Sequence, residues 1–169
     1  DRTSTIKKAA QPNQSESFMM MHELAVDDPD VVGGAPLAGS NQWPGSLEGF
    51  RETITSYNDA LVLLCTSLVR AFELSLQTDS LAKHFDKPTT WLRLLHYPPV
   101  PPEAPADLFG SNPHTDYGFI TILAQDEVGG LQVRSMDGDW IDVPPVAQVA
   151  LPPQLGPSRP VDLCRILNL

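Results

Sequence analysis

The tightest constraint on this chain is a change of hydrophobic period at Trp91. Before it, Phe50, Ile54, Tyr57, Leu61, Leu64, Leu68 and Phe72 recur at spacings of three and four. That spacing predicts a long helix within residues 46–77, with one apolar stripe along it. Pro44 and Gly45 mark a boundary at its start, and Asp79 can cap a short second helix through Phe85 that Pro88 stops. After Trp91, alternation takes over. Trp91 to Tyr97 reads as a strand ended by Pro98-Pro99, with Arg93, Leu95 and Tyr97 on one face and Leu92, Leu94 and His96 on the other. Phe119 to Gln125, Leu131 to Ser135 and Trp140 to Val143 read as further strands, the last two joined by an Asp137-Gly138 turn. A long helix followed by antiparallel strands is an α+β arrangement, with the helix packed on a sheet or sandwich.

Residues 1–45 carry no comparable pattern. Asp27-Asp28-Pro29-Asp30, Gly33-Gly34 and Pro36 punctuate them, so irregular structure is expected, with a helical turn around Ser15 to Met21. From Pro144 the alternation collapses, and Pro152-Pro153, Gly156-Pro157 and Pro160 leave no room for a long strand. Asp1 is not an initiator methionine, and a fragment or partial gene product is the expectation.

Composition narrows the function classes. Acidic residues outnumber basic ones by 21 to 11, giving a formal net charge of -10, which opposes non-specific binding to nucleic acid or anionic membranes. The longest apolar run, Ala60 to Cys65, is far too short to span a bilayer. Cys65 and Cys164 do not make a disulfide framework, and Cys65 fits a small core residue. A soluble, cytoplasmic protein is the expectation.

The chemistry-bearing triplet is His114-Thr115-Asp116. In extended backbone, residues i and i+2 point to the same side, so an imidazole and a carboxylate converge. Nitrogen and oxygen donors with open positions suit Fe(II), above all as two His and one carboxylate. The triplet alone also fits a polar turn before a strand, with Asp116 capping backbone N–H groups, and that is the commoner arrangement. Arg93 shares a predicted face with Tyr97, where it can meet an anionic ligand or form a strand-end ion pair.

The surrounding segments carry more information. Leu92-Arg93-Leu94-Leu95-His96-Tyr97-Pro98-Pro99, His114-Thr115-Asp116-Tyr117-Gly118, Thr121-Ile122-Leu123, Gly129-Gly130-Leu131-Gln132-Val133 and Asp137-Gly138-Asp139-Trp140-Ile141-Asp142-Val143-Pro144-Pro145 occur in order. Asn41-Gln42-Trp43-Pro44 precedes them. This series closely resembles the isopenicillin N synthase-like family of 2-oxoglutarate and Fe(II)-dependent dioxygenases over about residues 15–146. The resemblance implies a partial double-stranded β-helix, or jelly-roll, with the long N-terminal helix packed outside it. It divides the chain into an irregular segment 1–45, a helical segment 46–90, the first part of the dioxygenase domain at 91–146 and a divergent tail 147–169. It implies His114 and Asp116 as the first two iron ligands. It also implies Tyr97 as a residue that helps bind 2-oxoglutarate; Arg93, on the same predicted strand face, is placed to approach an anionic group there. The implied reaction is oxidation of a small organic substrate with O2, releasing succinate and CO2 from the cosubstrate.

Two departures from the family pattern stand out. Leu95 occupies a position where the family often has asparagine, two residues before the tyrosine. The family's second histidine and its Arg-x-Ser lie well downstream of the Asp ligand, and after Asp116 this chain has no His and no Arg-x-Ser. His96 lies on the opposite predicted face from Tyr97 and is a poor substitute. The alternative expectation is therefore a catalytically incomplete family member that lacks turnover and acts as a binding remnant or not at all.

Overall fold

The computed structural model describes residues 12–85, 89–105, 108–116 and 118–146, and the backbone of 162–167. In chain order the elements are β1 (Glu16–Met21), α1 (Pro29–Val32), α2 (Phe50–Leu76), a 3-10 turn (Ala82–Phe85), β2 (Thr90–His96), β3 (Ile120–Ala124), β4 (Gln132–Arg134), β5 (Trp140–Asp142) and β6 (Asp162–Leu167). Four strands form a sheet in the order β1-β2-β6-β3, and β4 and β5 form a two-stranded sheet. The α+β reading holds, and β2, β3, β4 and β5 fall where alternation placed them. None of the described helices is long and apolar enough to cross a membrane.

Three local expectations are overturned. The Ser15 to Met21 region is strand β1, because pairing beside β2 buries Met20 and outweighs any helical tendency of the Met run. The 3-10 turn is capped by Glu73 instead of Asp79: the Glu73 Oε1 accepts the Leu81 and Ala82 N–H groups at 2.9 and 2.8 Å. Past Pro160, β6 occupies Asp162–Leu167 and pairs between β2 and β3, so the proline-rich stretch precedes a strand instead of ending strand formation.

Contacts divide the described residues into two compact units. One draws on Met19–Leu92, Asp116–Ile122 and Ile166–Leu169. Its core is Cys65, Val69 and Ile120, with Leu68, Leu81, Phe85 and Ile122 packed against them. Phe119 meets Phe72 edge-on at 5.5 Å between ring centroids and Phe85 at 5.6 Å. The fully covered residues of α2 are Asn58, Cys65 and Val69, so the buried stripe is rotated by about one residue from the predicted one, and Leu64 and Phe72 remain exposed.

The start of α2 is held by a knot of polar contacts around Glu23. Its Oε1 accepts the Asn41 N–H at 2.9 Å and the Trp43 indole N–H at 3.0 Å, and its Oε2 accepts an Arg51 guanidinium N–H at 2.9 Å. Asn41 binds both the N–H and the carbonyl of Met21, at 2.9 and 2.8 Å. Arg51 also lies over the Trp43 ring at 5.5 Å. Burial pushes the Glu23 carboxyl up, but the hydrogen bonds from Trp43 and Asn41 and the Arg51 charge outweigh it and hold its pKa below the usual value. This knot gives the Asn41-Gln42-Trp43-Pro44 motif a structural role: it fixes where the helix begins.

The second unit draws on Asp1–Phe18, Arg93–Thr115 and Leu123–Arg165. Within it, β4 and β5 pair antiparallel with Gln132 opposite Asp142, Val133 opposite Ile141 and Arg134 opposite Trp140. Gly138, at φ 99°, supplies the left-handed position of their turn, and its carbonyl accepts the Arg134 Nε–H at 3.0 Å.

Candidate metal and cosubstrate site

Each predicted site residue falls within or beside β2 or in the link that leads to β3. Arg93 lies on β2 and is half-buried, and Tyr97 follows the last residue of β2 and is also half-buried. Leu95, at the position where the family often has asparagine, is buried in the core at 6 % exposure. Alternation along β2 buries Leu92 as well, so apolar packing covers both faces of this strand.

His114, Thr115 and Asp116 are exposed and sit in irregular backbone before β3, not in a strand. Alternation therefore does not itself converge the two side chains. What orients His114 is a hydrogen bond: its Nδ1 lies 2.7 Å from the carbonyl oxygen of Asn112. A carbonyl only accepts, so Nδ1 carries the proton, and in the neutral ring the lone pair is on Nε2. Metal-ligating histidines are commonly held in this way, with the other ring nitrogen donating to a carbonyl or carboxylate. The donor set, an imidazole nitrogen with a fixed tautomer and an accessible carboxylate, fits Fe(II) in type. Among the described residues no group of three or more His, Cys, Asp or Glu side chains comes together. His96 is engaged elsewhere, its Nδ1 3.1 Å from Glu16 Oε2.

Motif reading missed the loop residues that support these positions. Gly110 packs directly on the Tyr97 ring, where a Cβ would stand 2.6 Å from Cδ1. Asn112 supplies the carbonyl for His114. Both lie in Phe109-Gly110-Ser111-Asn112-Pro113, whose Gly and Asn-Pro signal a turn but not what the turn contacts.

Comparison with known proteins gives a consistent answer. Residues 88–161 match the family model of the 2OG-Fe(II) oxygenase superfamily, reaching beyond the expected end of the resemblance at Val146. The chain is 34% identical over 154 residues to the 2-oxoglutarate-Fe(II) type oxidoreductase hxnY of Emericella nidulans, covering 86% of this chain and 44% of the relative. It is 38% identical over 147 residues to the 2-oxoglutarate-dependent dioxygenase citB of Monascus ruber, covering 79% of this chain and 44% of the relative. The crystal structure of a full-length Neurospora crassa protein in complex with alpha-KG is similar with a TM-score of 0.65 at 34% identity, over 81% of this chain and 41% of that one. The chain thus spans less than half the length of the curated relatives it matches. Motif order, fold similarity and sequence identity agree, and the chain belongs to the 2OG-Fe(II) oxygenase superfamily.

Proposed function

We propose that this chain carries the first two Fe(II) ligands, His114 and Asp116, and the Tyr97 and Arg93 contacts to 2-oxoglutarate, of an oxidoreductase acting on a small organic molecule. The observation that carries the reading is the 2.7 Å bond from His114 Nδ1 to the Asn112 carbonyl, which leaves Nε2 as the donor nitrogen. Iron with 2-oxoglutarate and O2 supplies the oxidising chemistry, with succinate and CO2 as the products of the cosubstrate. The residues of this chain contribute binding and orientation. His114 offers a neutral nitrogen and Asp116 a carboxylate oxygen. Tyr97 offers a hydroxyl to a cosubstrate oxygen, and Arg93 offers a planar pair of N–H donors that matches a carboxylate. Leu95 offers no polar contact, so the tyrosine and arginine carry the recognition that a family asparagine would share.

The jelly-roll with α2 packed outside it is part of the same proposal. It is supported by the sheet order β1-β2-β6-β3 and by the likeness to the Neurospora crassa alpha-KG complex. The division at residues 45, 90 and 146 and a monomeric state belong to the same proposal.

Anaerobic calorimetry with 2-oxoglutarate tests the cosubstrate contacts. The chain supplemented with Fe(II) should bind 2-oxoglutarate saturably, and Arg93→Ala and Tyr97→Phe should each weaken binding. Iron-loaded chain that binds no 2-oxoglutarate would defeat the assignment. With only two protein ligands proposed, turnover by the 169-residue chain alone is expected to be slight.

A further inference from the structure

Resting on the reading of His114 as a ligand, we infer that Asn13 is a positioning residue for it, acting through Asn112. The side-chain oxygen of Asn13 accepts the Asn112 N–H at 2.9 Å. The carbonyl at the other end of Asn112 accepts the His114 Nδ1–H at 2.7 Å. Pro113 follows Asn112, and a residue before proline is restricted to extended conformations. The direction of the Asn112 N–H and the direction of its carbonyl are therefore coupled. Fixing one end fixes the acceptor that selects the imidazole tautomer.

The neighbouring residue strengthens the same attachment. The Gln14 N–H donates to the Phe109 carbonyl at 2.9 Å, and the Gln14 side-chain amide reaches the Pro99 carbonyl at 3.5 Å. Asn13 and Gln14 thus hold the connection between β2 and β3 at residues 99, 109 and 112. These two residues lie far upstream of the matched family segment 88–161, so the contact is supplied from outside the portion that bears the motifs. Asn13 is exposed, and its loss leaves the apolar cores untouched. Without its oxygen, the Asn112 N–H turns to water and the carbonyl is released from the orientation that His114 requires. The imidazole then samples both neutral tautomers, and the nitrogen needed by a metal carries a proton part of the time.

The test uses the whole 169-residue chain, labelled with 15N-histidine and free of metal, at a fixed pH of about 9, well above the ordinary imidazole range near 6.5. Long-range 1H–15N spectra report the tautomer of each ring, and the His114 signals are identified by their loss in His114→Ala. The parent should show the Nδ1–H form. Asn13→Ala should move His114 toward the Nε2–H form while the helical circular dichroism is unchanged, and should weaken Co(II) binding by about tenfold. Asn13→Asp, which retains an acceptor oxygen, should restore both. An unchanged His114 tautomer in Asn13→Ala, or an Asn13→Asp protein that behaves like Asn13→Ala, would overturn the inference. A tautomer shift without any change in Co(II) binding would keep Asn13 as the positioning residue and overturn the assignment of His114 as a ligand.

Discussion

Gly110 lies against the ring of Tyr97 so closely that a methyl group at position 110 would stand 2.6 Å from Cδ1 and 3.0 Å from Cε1. The loop that leads to His114 and the tyrosine proposed to contact 2-oxoglutarate therefore share a packing contact. Gly110 is not among the glycines with positive φ, so the need for glycine is one of space. Gly110→Ala should displace the ring and destabilise the fold by about 1–3 kcal/mol, the usual cost of overpacking. Urea unfolding checks the stability, and 2-oxoglutarate calorimetry should show a parallel loss of affinity. Parent-like values in both would mean that the loop moves away at no cost.

Glu23 gives a pH signature. Its folded pKa lies below the usual 4.5, so its contribution to stability is present above that value and is lost as pH falls through the folded pKa. Glu23→Gln should be less stable than the parent at neutral pH. The gap should narrow as the pH drops below the usual carboxylate range, read as paired thermal melts across pH 3 to 7 (roughly, the range over which carboxylates titrate).

The rotation of α2 separates two residues on one helix. Val69 is 2 % exposed and packs in the core, whereas Leu74 is 82 % exposed. Val69→Ala should cost about 2 kcal/mol through lost burial and the cavity left behind. Leu74→Ala should change stability by less than about 0.5 kcal/mol. Equal effects would place the helix in another rotation.

Much of the fold was legible because the hydrophobic period reports it directly. The strand pattern at β2 and β3, the β4–β5 hairpin with Gly138 at its turn, and the span of α2 all follow from spacing. What escaped depends on partners distant in sequence. β1 is a strand because β2 lies beside it, and β6 forms after a proline-rich stretch because it pairs between β2 and β3. The site divides in the same way. His114 and Asp116 were visible as a triplet in a recognisable series of motifs. Asn13, Gly110 and Asn112 act through a side-chain oxygen, a missing Cβ and a carbonyl, and none of these leaves a motif. The same-side argument for the triplet also proved indirect, since the backbone there is irregular and a hydrogen bond orients the imidazole.

Metal titration tests the central claim most directly. Co(II), a spectroscopic stand-in for Fe(II) with a similar taste for nitrogen and oxygen donors, is added to the 169-residue chain and to its His114→Ala and Asp116→Ala variants. The expected result is saturable binding at one site in the parent, weakened at least about tenfold in each variant. Binding that is equally strong in the parent and in His114→Ala would contradict the account.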